Sequence, residues 1–138
     1  MKQLTDKEAA ALGVSAVHHE MDNGELRFRL VSEAGSSYIL TRSTGQNGWQ
    51  SSHVHHKKQE FYVVEKGCAL FALLQNGEVQ FQKLQENESL AIPTGVPHNV
   101  LLSENALLHT VKYGTPEEDW HPCPELDALL EKPEIPAP

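Results

Sequence analysis

His53-Val54-His55-His56-Lys57-Lys58-Gln59-Glu60-Phe61-Tyr62-Val63-Val64-Glu65-Lys66-Gly67 is the stretch that decides how this chain folds, and Pro93-Thr94-Gly95-Val96-Pro97-His98 answers it about thirty residues later. His53 and His55 are two apart, so on an extended strand both imidazoles point to one face. Glu60 opens the apolar run that follows, and His98 arrives from a distant strand behind a Pro/Gly turn. Two local ligands and two remote ones are how a fold builds a metal site on rigid elements. His53, His55, Glu60 and His98 are therefore the metal-ligand candidates, for one divalent transition metal: iron, manganese, nickel, cobalt or zinc. Three imidazoles and a carboxylate leave open positions on a five- or six-coordinate ion, which argues against a purely structural site.

The rest of the chain alternates short apolar runs with turn signals. Thr5 and Glu8 form a capping-box pattern, with helix material to Leu12 and a stop at Gly13. Asp22-Asn23-Gly24, Ala34-Gly35, Lys66-Gly67 and Asn76-Gly77 read as turns. Between them lie strand candidates over Leu26–Val31, Ser36–Thr44, Phe61–Glu65, Ala69–Leu74, Val79–Leu84, Ser89–Ile92, Asn99–Leu102 and Leu107–Tyr113. A turn signal every eight to twelve residues indicates an all-β sandwich or barrel. After Gly114 the composition turns to prolines and acids. The organisation expected is a barrel with an N-terminal helix over 1–114 and a Pro-rich tail over 115–138. A short helix is expected over Pro124–Leu130, with an extended or disordered end from Lys132. Trp120 is too large and apolar to be free, so it should dock the tail on the barrel or on a second subunit.

At 138 residues the chain suffices for one hydrophobic core. Its formal charge of −8 argues against general nucleic-acid binding and against an anionic membrane surface. No run approaches the roughly 20 apolar residues of a membrane span, and the N-terminus is polar at once. Cys68 and Cys123 are too few for a disulfide framework and read as reduced thiols in a cytoplasmic protein.

The two quoted segments resemble the two motifs of the cupin family. The first reads Gly48, four residues, His53-Val54-His55, four residues, Glu60, six residues, Gly67. The second reads Asn87, five residues, Pro93-Thr94-Gly95, two residues, His98, three residues, Leu102. The spacer before His53 is one residue short, Asn87 stands where the family has Gly, and Leu102 where it has Asn. No metal-ligand position is lost, and Asn tolerates the positive-φ turn that Gly would supply. The resemblance implies a double-stranded β-helix barrel, jelly-roll-like, with one metal inside and a tendency to homodimerise. The strand Phe61–Glu65 could supply an apolar interface. Val111-Lys112-Tyr113-Gly114 with Glu117-Glu118-Asp119 also resembles the end of the cupin module in mannose-phosphate isomerase-type proteins, which points towards carbohydrate chemistry.

Fold alone does not choose a reaction. If Thr110 and Lys112 face solvent, then His109, Val111 and Tyr113 face the cavity, and His109 is a general acid/base candidate with Tyr113 as its alternative. Tyr62 shares the face of Glu60 and either lines the pocket or packs. On the usual alternation Phe28 and Leu30 point inward and Arg27 and Arg29 outward; the reverse register would let either arginine clamp an anion. His18, His19 and His56 read as ordinary surface histidines, and Lys57 and Lys58 as solvated. The expected function is Lewis-acid isomerase, epimerase or lyase chemistry on a small sugar-like or hydroxy/keto-acid substrate. An Fe(II)-dependent dioxygenase and a non-catalytic ligand-binding or sensing cupin are the alternatives.

Overall fold

The computed structural model of the protein describes residues 1–132 and 136–138. The expectation for the end of the tail falls in part on residues 133–135, outside the described residues. The chain opens with α1 (Asp6–Ala11). Its capping box is formed as the sequence predicts: Glu8 N–H donates to Thr5 Oγ1 at 3.1 Å and Thr5 N–H to Glu8 Oε2 at 2.8 Å.

Among the described residues eleven strands follow: β1 (Val14–Glu20), β2 (Leu26–Ser32), β3 (Ser37–Arg42), β4 (His53–Val54), β5 (Gln59–Lys66), β6 (Ala69–Gln75), β7 (Glu78–Leu84), β8 (Ser89–Ile92), β9 (His98–Leu102), β10 (Leu107–Tyr113) and β11 (His121–Pro122). They form a six-stranded sheet ordered β1-β2-β3-β10-β5-β8 and a five-stranded sheet ordered β11-β4-β9-β6-β7. Every pairing is antiparallel. The sheets face one another, and Val64, Phe71, Leu84, Val100, Leu102 and Leu108 fill the space between them. The Asn76-Gly77 turn joining β6 to β7 has φ of 53° and 77°, the pair of positive angles a two-residue hairpin requires. Asn87 adopts φ 66°, so it makes the turn that Gly makes in the family motif.

Two strands run in the opposite register to that expected. On β10, Leu108 and Thr110 are buried, whereas Val111 and Tyr113 are about 40% and 41% exposed. The ladders explain this: Lys112 stands opposite Glu60, Thr110 opposite Tyr62 and Leu108 opposite Val64, so these share the inner face. His109 and Tyr113 therefore point away from the barrel interior. On β2, Arg29 pairs with buried Ile39 and Arg27 with buried Thr41, which turns both arginines inward and Phe28 and Leu30 outward. The physical reason is that the outer face of this sheet is itself apolar. A single cross-strand row reads Ala16, Leu30, Tyr38, Val111, Phe61, Ala91. Hydrophobicity alone then cannot say which side is inside.

The tail closes back on the five-stranded sheet. Helix α2 (Pro124–Leu130) buries Leu126 and Leu130 against Ala72, with Trp49, Leu74 and Val79 alongside. Asp127 Oδ1 accepts the Ser52 N–H at 3.0 Å, and Ser52 O accepts the Cys123 N–H at 2.9 Å. Both bonds tie the tail to the residue that precedes His53.

Candidate metal centre

Each ligand comes from an element whose register fixes its direction. His53 on β4 and His98 on β9 are directly paired in the five-stranded sheet. His55 lies just past β4, and Glu60 projects from β5 of the opposite sheet. All four are buried, and their ligand atoms lie within 4.8 Å of one another. Glu60 Oε1 stands 3.3 Å from His53 Nε2, 3.0 Å from His98 Nε2, and in contact with His55 Nε2.

The other nitrogen of each ring settles what these contacts mean. His53 Nδ1 is 2.9 Å from Ser51 O, His98 Nδ1 is 2.9 Å from Val96 O, and His55 Nδ1 is 2.5 Å from Asp119 O. A backbone carbonyl only accepts, so each Nδ1 carries the hydrogen and each uncharged ring turns an Nε2 lone pair inward. Three lone pairs then converge on a carboxylate oxygen, an arrangement of acceptors that only a cation satisfies. His55 Nε2 is a buried atom without a hydrogen-bond donor. Ring hydrogens anchored on carbonyls behind the ligands are the outer support that metal-binding histidines use. His53, His55, Glu60 and His98 thus form a site for one divalent transition metal.

Electrostatics favours the ligating forms. Burial lowers the His53 pKa, with His98 adding to the effect and Glu60 opposing it, so this ring is uncharged at neutral pH. Burial works against the charged form of Glu60, and the nearby Lys112 charge favours it. Tyr62 Oη donates to Glu60 Oε2 at 2.5 Å, which turns Oε1 to the histidines. Burial first, then the adjacent Glu60 charge, raises the Tyr62 pKa well above that of a free phenol. Its ring packs edge-on against Phe71 at 4.9 Å, so Tyr62 both packs and positions Glu60.

The tail completes the site. Asp119 is buried, and its carboxylate accepts the backbone N–H groups of His56, Lys57 and Lys58 at 3.0, 2.7 and 2.7 Å. Burial would raise its pKa, but these donors and His121 pull it far below the ordinary carboxylate range. One residue thus shapes the loop between His55 and Glu60 with its side chain and anchors His55 with its carbonyl. Trp120 stacks on His53 with ring centroids 5.6 Å apart and planes 22° apart. The sequence singles out Trp120 as a docking residue; it carries no local signal for Asp119, whose partners are some sixty residues away.

His109 and Tyr113 are not brought to the centre. His109 lies between Tyr38 Oη at 2.6 Å and Glu65 Oε1 at 3.0 Å on the outer face, and Tyr113 Oη bonds to Gln59. A cavity of about 550 Å³ instead opens beside His53, lined by Arg27, Arg29, Gln50, Lys112, Trp49 and Trp120 among others. A narrow gap lined by Arg27, Gln50, His53, Glu60, Tyr62 and Lys112 continues it towards the ligands.

No protein-family model and no curated protein matches the chain. Solved structures do. A deletion mutant of Bacillus subtilis oxalate decarboxylase superposes with a TM-score of 0.65 at 17% identity, covering 86% of this chain and 32% of the other. The same enzyme at pH 4.6 gives 0.65 at 16% identity, with the same coverage. A structure of it concerned with its Mn(II) centres gives 0.63 at 15% identity, covering 78% of this chain and 30% of the other. The fold is a cupin barrel. The chain spans about a third of the length of these neighbours, and at this identity the likeness concerns the fold alone. The two segments that resemble the cupin motifs meet in this barrel: the first brings His53, His55 and Glu60, and the second brings His98.

Proposed function

We propose that this cupin is a metal-dependent enzyme that carries out lyase, isomerase or epimerase chemistry on a small hydroxy- or keto-acid or sugar-like substrate. The observation that carries this reading is a complete, oriented ligand set beside an open cavity, where a structural site would be closed. That the fold neighbours are oxalate decarboxylases with Mn(II) centres supports a metal-dependent reading. A divalent ion held by His53, His55, Glu60 and His98 would supply Lewis acidity for a substrate carbonyl.

The chain's own residues orient and enclose. Ser51, Val96 and Asp119 carbonyls fix the three rings, Tyr62 fixes Glu60, and Trp120 covers His53 from the tail. The proton transfer expected of His109 or Tyr113 passes instead to Lys112, which faces Glu60 across the ladder. Burial lowers the Lys112 pKa, the nearby Arg29, Arg27 and Lys58 lower it further, and Glu60 opposes them. The reading also includes a homodimer, joined through the apolar row that crosses the six-stranded sheet. None of the described helices is long and apolar enough to cross a membrane.

Elemental analysis of wild type and His98→Ala tests the proposal. About one equivalent of metal per chain, lost in the variant while the fold persists, is expected. Full occupancy in the variant would sink the ligand assignment. Iron accompanied by oxygen uptake would replace the Lewis-acid reading by a dioxygenase.

A further inference from the structure

The cavity beside the metal centre holds more positive charge than the protein neutralises. Arg27, Arg29 and Lys112 all line it, on a molecule whose formal net charge is −8. Their positions follow from the ladders already described: Arg27 and Arg29 are on the inward positions of β2, and Lys112 is on the inward position of β10 opposite Glu60. Such a cluster is costly to assemble without an anion, because burial and mutual repulsion both oppose the charged forms. Arg29 shows this directly: burial, then the neighbouring Arg27 charge, lowers its pKa.

Two carboxylates stand at the cluster: Glu60, which faces Lys112 across the ladder and is already engaged by the three histidines and Tyr62, and Glu25. Glu25 is fully buried, and its Oε1 accepts from Arg27 Nη2 at 3.3 Å and from Gln50 Nε2 at 3.1 Å. This bond engages Arg27 Nη2 and leaves Arg27 Nε without an acceptor and Glu25 Oε2 without a donor. Arg27 Nε and Arg29 Nε are buried donors without an acceptor, as is Asn23 Nδ2 at the edge of the same cavity. Among the described residues neither Arg29 nor Lys112 forms an ion pair. Asp22 lines the cavity too, but it is exposed and pairs with none of them.

We propose that Arg27 and Arg29, with Lys112 beside them, bind the anionic group of the substrate, a carboxylate or a phosphate, whose other end reaches the metal centre. The inference rests on the metal-enzyme reading and narrows its substrate class to small acids, excluding neutral sugars. Two guanidinium forks suit an oxyanion that can accept paired hydrogen bonds. The positive cavity in an acidic molecule also draws such an anion to the mouth.

The test is calorimetric titration of the purified protein with malonate, with inorganic phosphate and with glycerol as neutral control, with metal content measured on every sample. The variants are Arg29→Gln and Lys112→Met, the second keeping the aliphatic stem so that packing survives if the first does not fold. Wild type should bind malonate or phosphate and not glycerol, and each variant should bind the anion about tenfold or more weakly while retaining its metal. Tighter malonate assigns the site to a carboxylate, and tighter phosphate to a phosphoryl group. Variants that bind as wild type does, or glycerol bound as tightly as malonate, would overturn the inference and leave the metal centre standing. Wild-type protein that takes up no metal even on reconstitution, yet shows the charge-dependent binding, would overturn the enzyme reading and leave the anion site standing.

Discussion

Replacing Asp119 by Ala should loosen the metal centre without touching a ligand. The carboxylate accepts three backbone N–H groups of the loop between His55 and Glu60. A hydrogen bond to a charged acceptor contributes about 1.5–3 kcal/mol. Three would not sum, because His56 and Lys57 are exposed and water takes the place of the lost oxygens. The net loss is then closer to that of one such bond, about 2–3 kcal/mol. For a domain of this size that is a fall in Tm of about 6–9 °C. The carbonyl behind His55 remains but loses its fixed position, so metal affinity should fall about 10- to 100-fold. Thermal unfolding of metal-free protein and chelator competition on the loaded protein read the two effects separately. The pH dependence has a definite sign. The Asp119 pKa is depressed on folding, so its contribution is complete above the unfolded value near 3.8 and is lost as pH falls through the folded value. Asp119→Ala should therefore show a shallower loss of stability in acid than wild type. A metal-free Tm within about 1 °C of wild type, together with unchanged affinity, would refute the argument.

Three further outcomes are expected. Tyr62→Phe removes the hydroxyl that holds Glu60 Oε2 and should weaken metal binding about tenfold, read by chelator competition, while the buried ring keeps its contact with Phe71. His109→Gln should leave turnover within about twofold of wild type, since His109 lies outside the cavity; a loss of about a hundredfold would restore it as the acid/base. Phe61→Glu places a charge in the outer apolar row and should convert the dimer to monomer in sedimentation, with metal content unchanged; a monomeric wild type would refute the interface.

The ligand set was legible because it obeys a rule that strands impose on any sequence. His53 and His55 share a face at spacing two, and the loops before β4 and β9 are written in Gly, Pro and Asn. Eight strands and both helices were legible from turn and cap signals, down to the Thr5 capping box and α2 at Pro124–Leu130, whereas β1, β4 and β11 were not delimited. The facing of β2 and β10 was not. Phe28 and Leu30 look like core, and Arg27 and Arg29 look like surface, until the sheet is seen to carry an apolar outer face and a charged cavity inside. Arginines turned inward break the usual pattern because what they line is a charged cavity and not the apolar core. Asp119 was hidden for a different reason. Its three donors are backbone groups, which sequence does not mark.

The dependence of His55 on Asp119 also makes the tail part of the metal centre's selectivity. The four candidate ligands lie within residues 53–98, yet the carbonyl that turns the His55 ring comes from Asp119, twenty-one residues beyond His98. With that segment undocked, an ion would meet two aligned imidazoles and one that rotates. Docking of the tail and capture of a metal are therefore linked, and each stabilises the other.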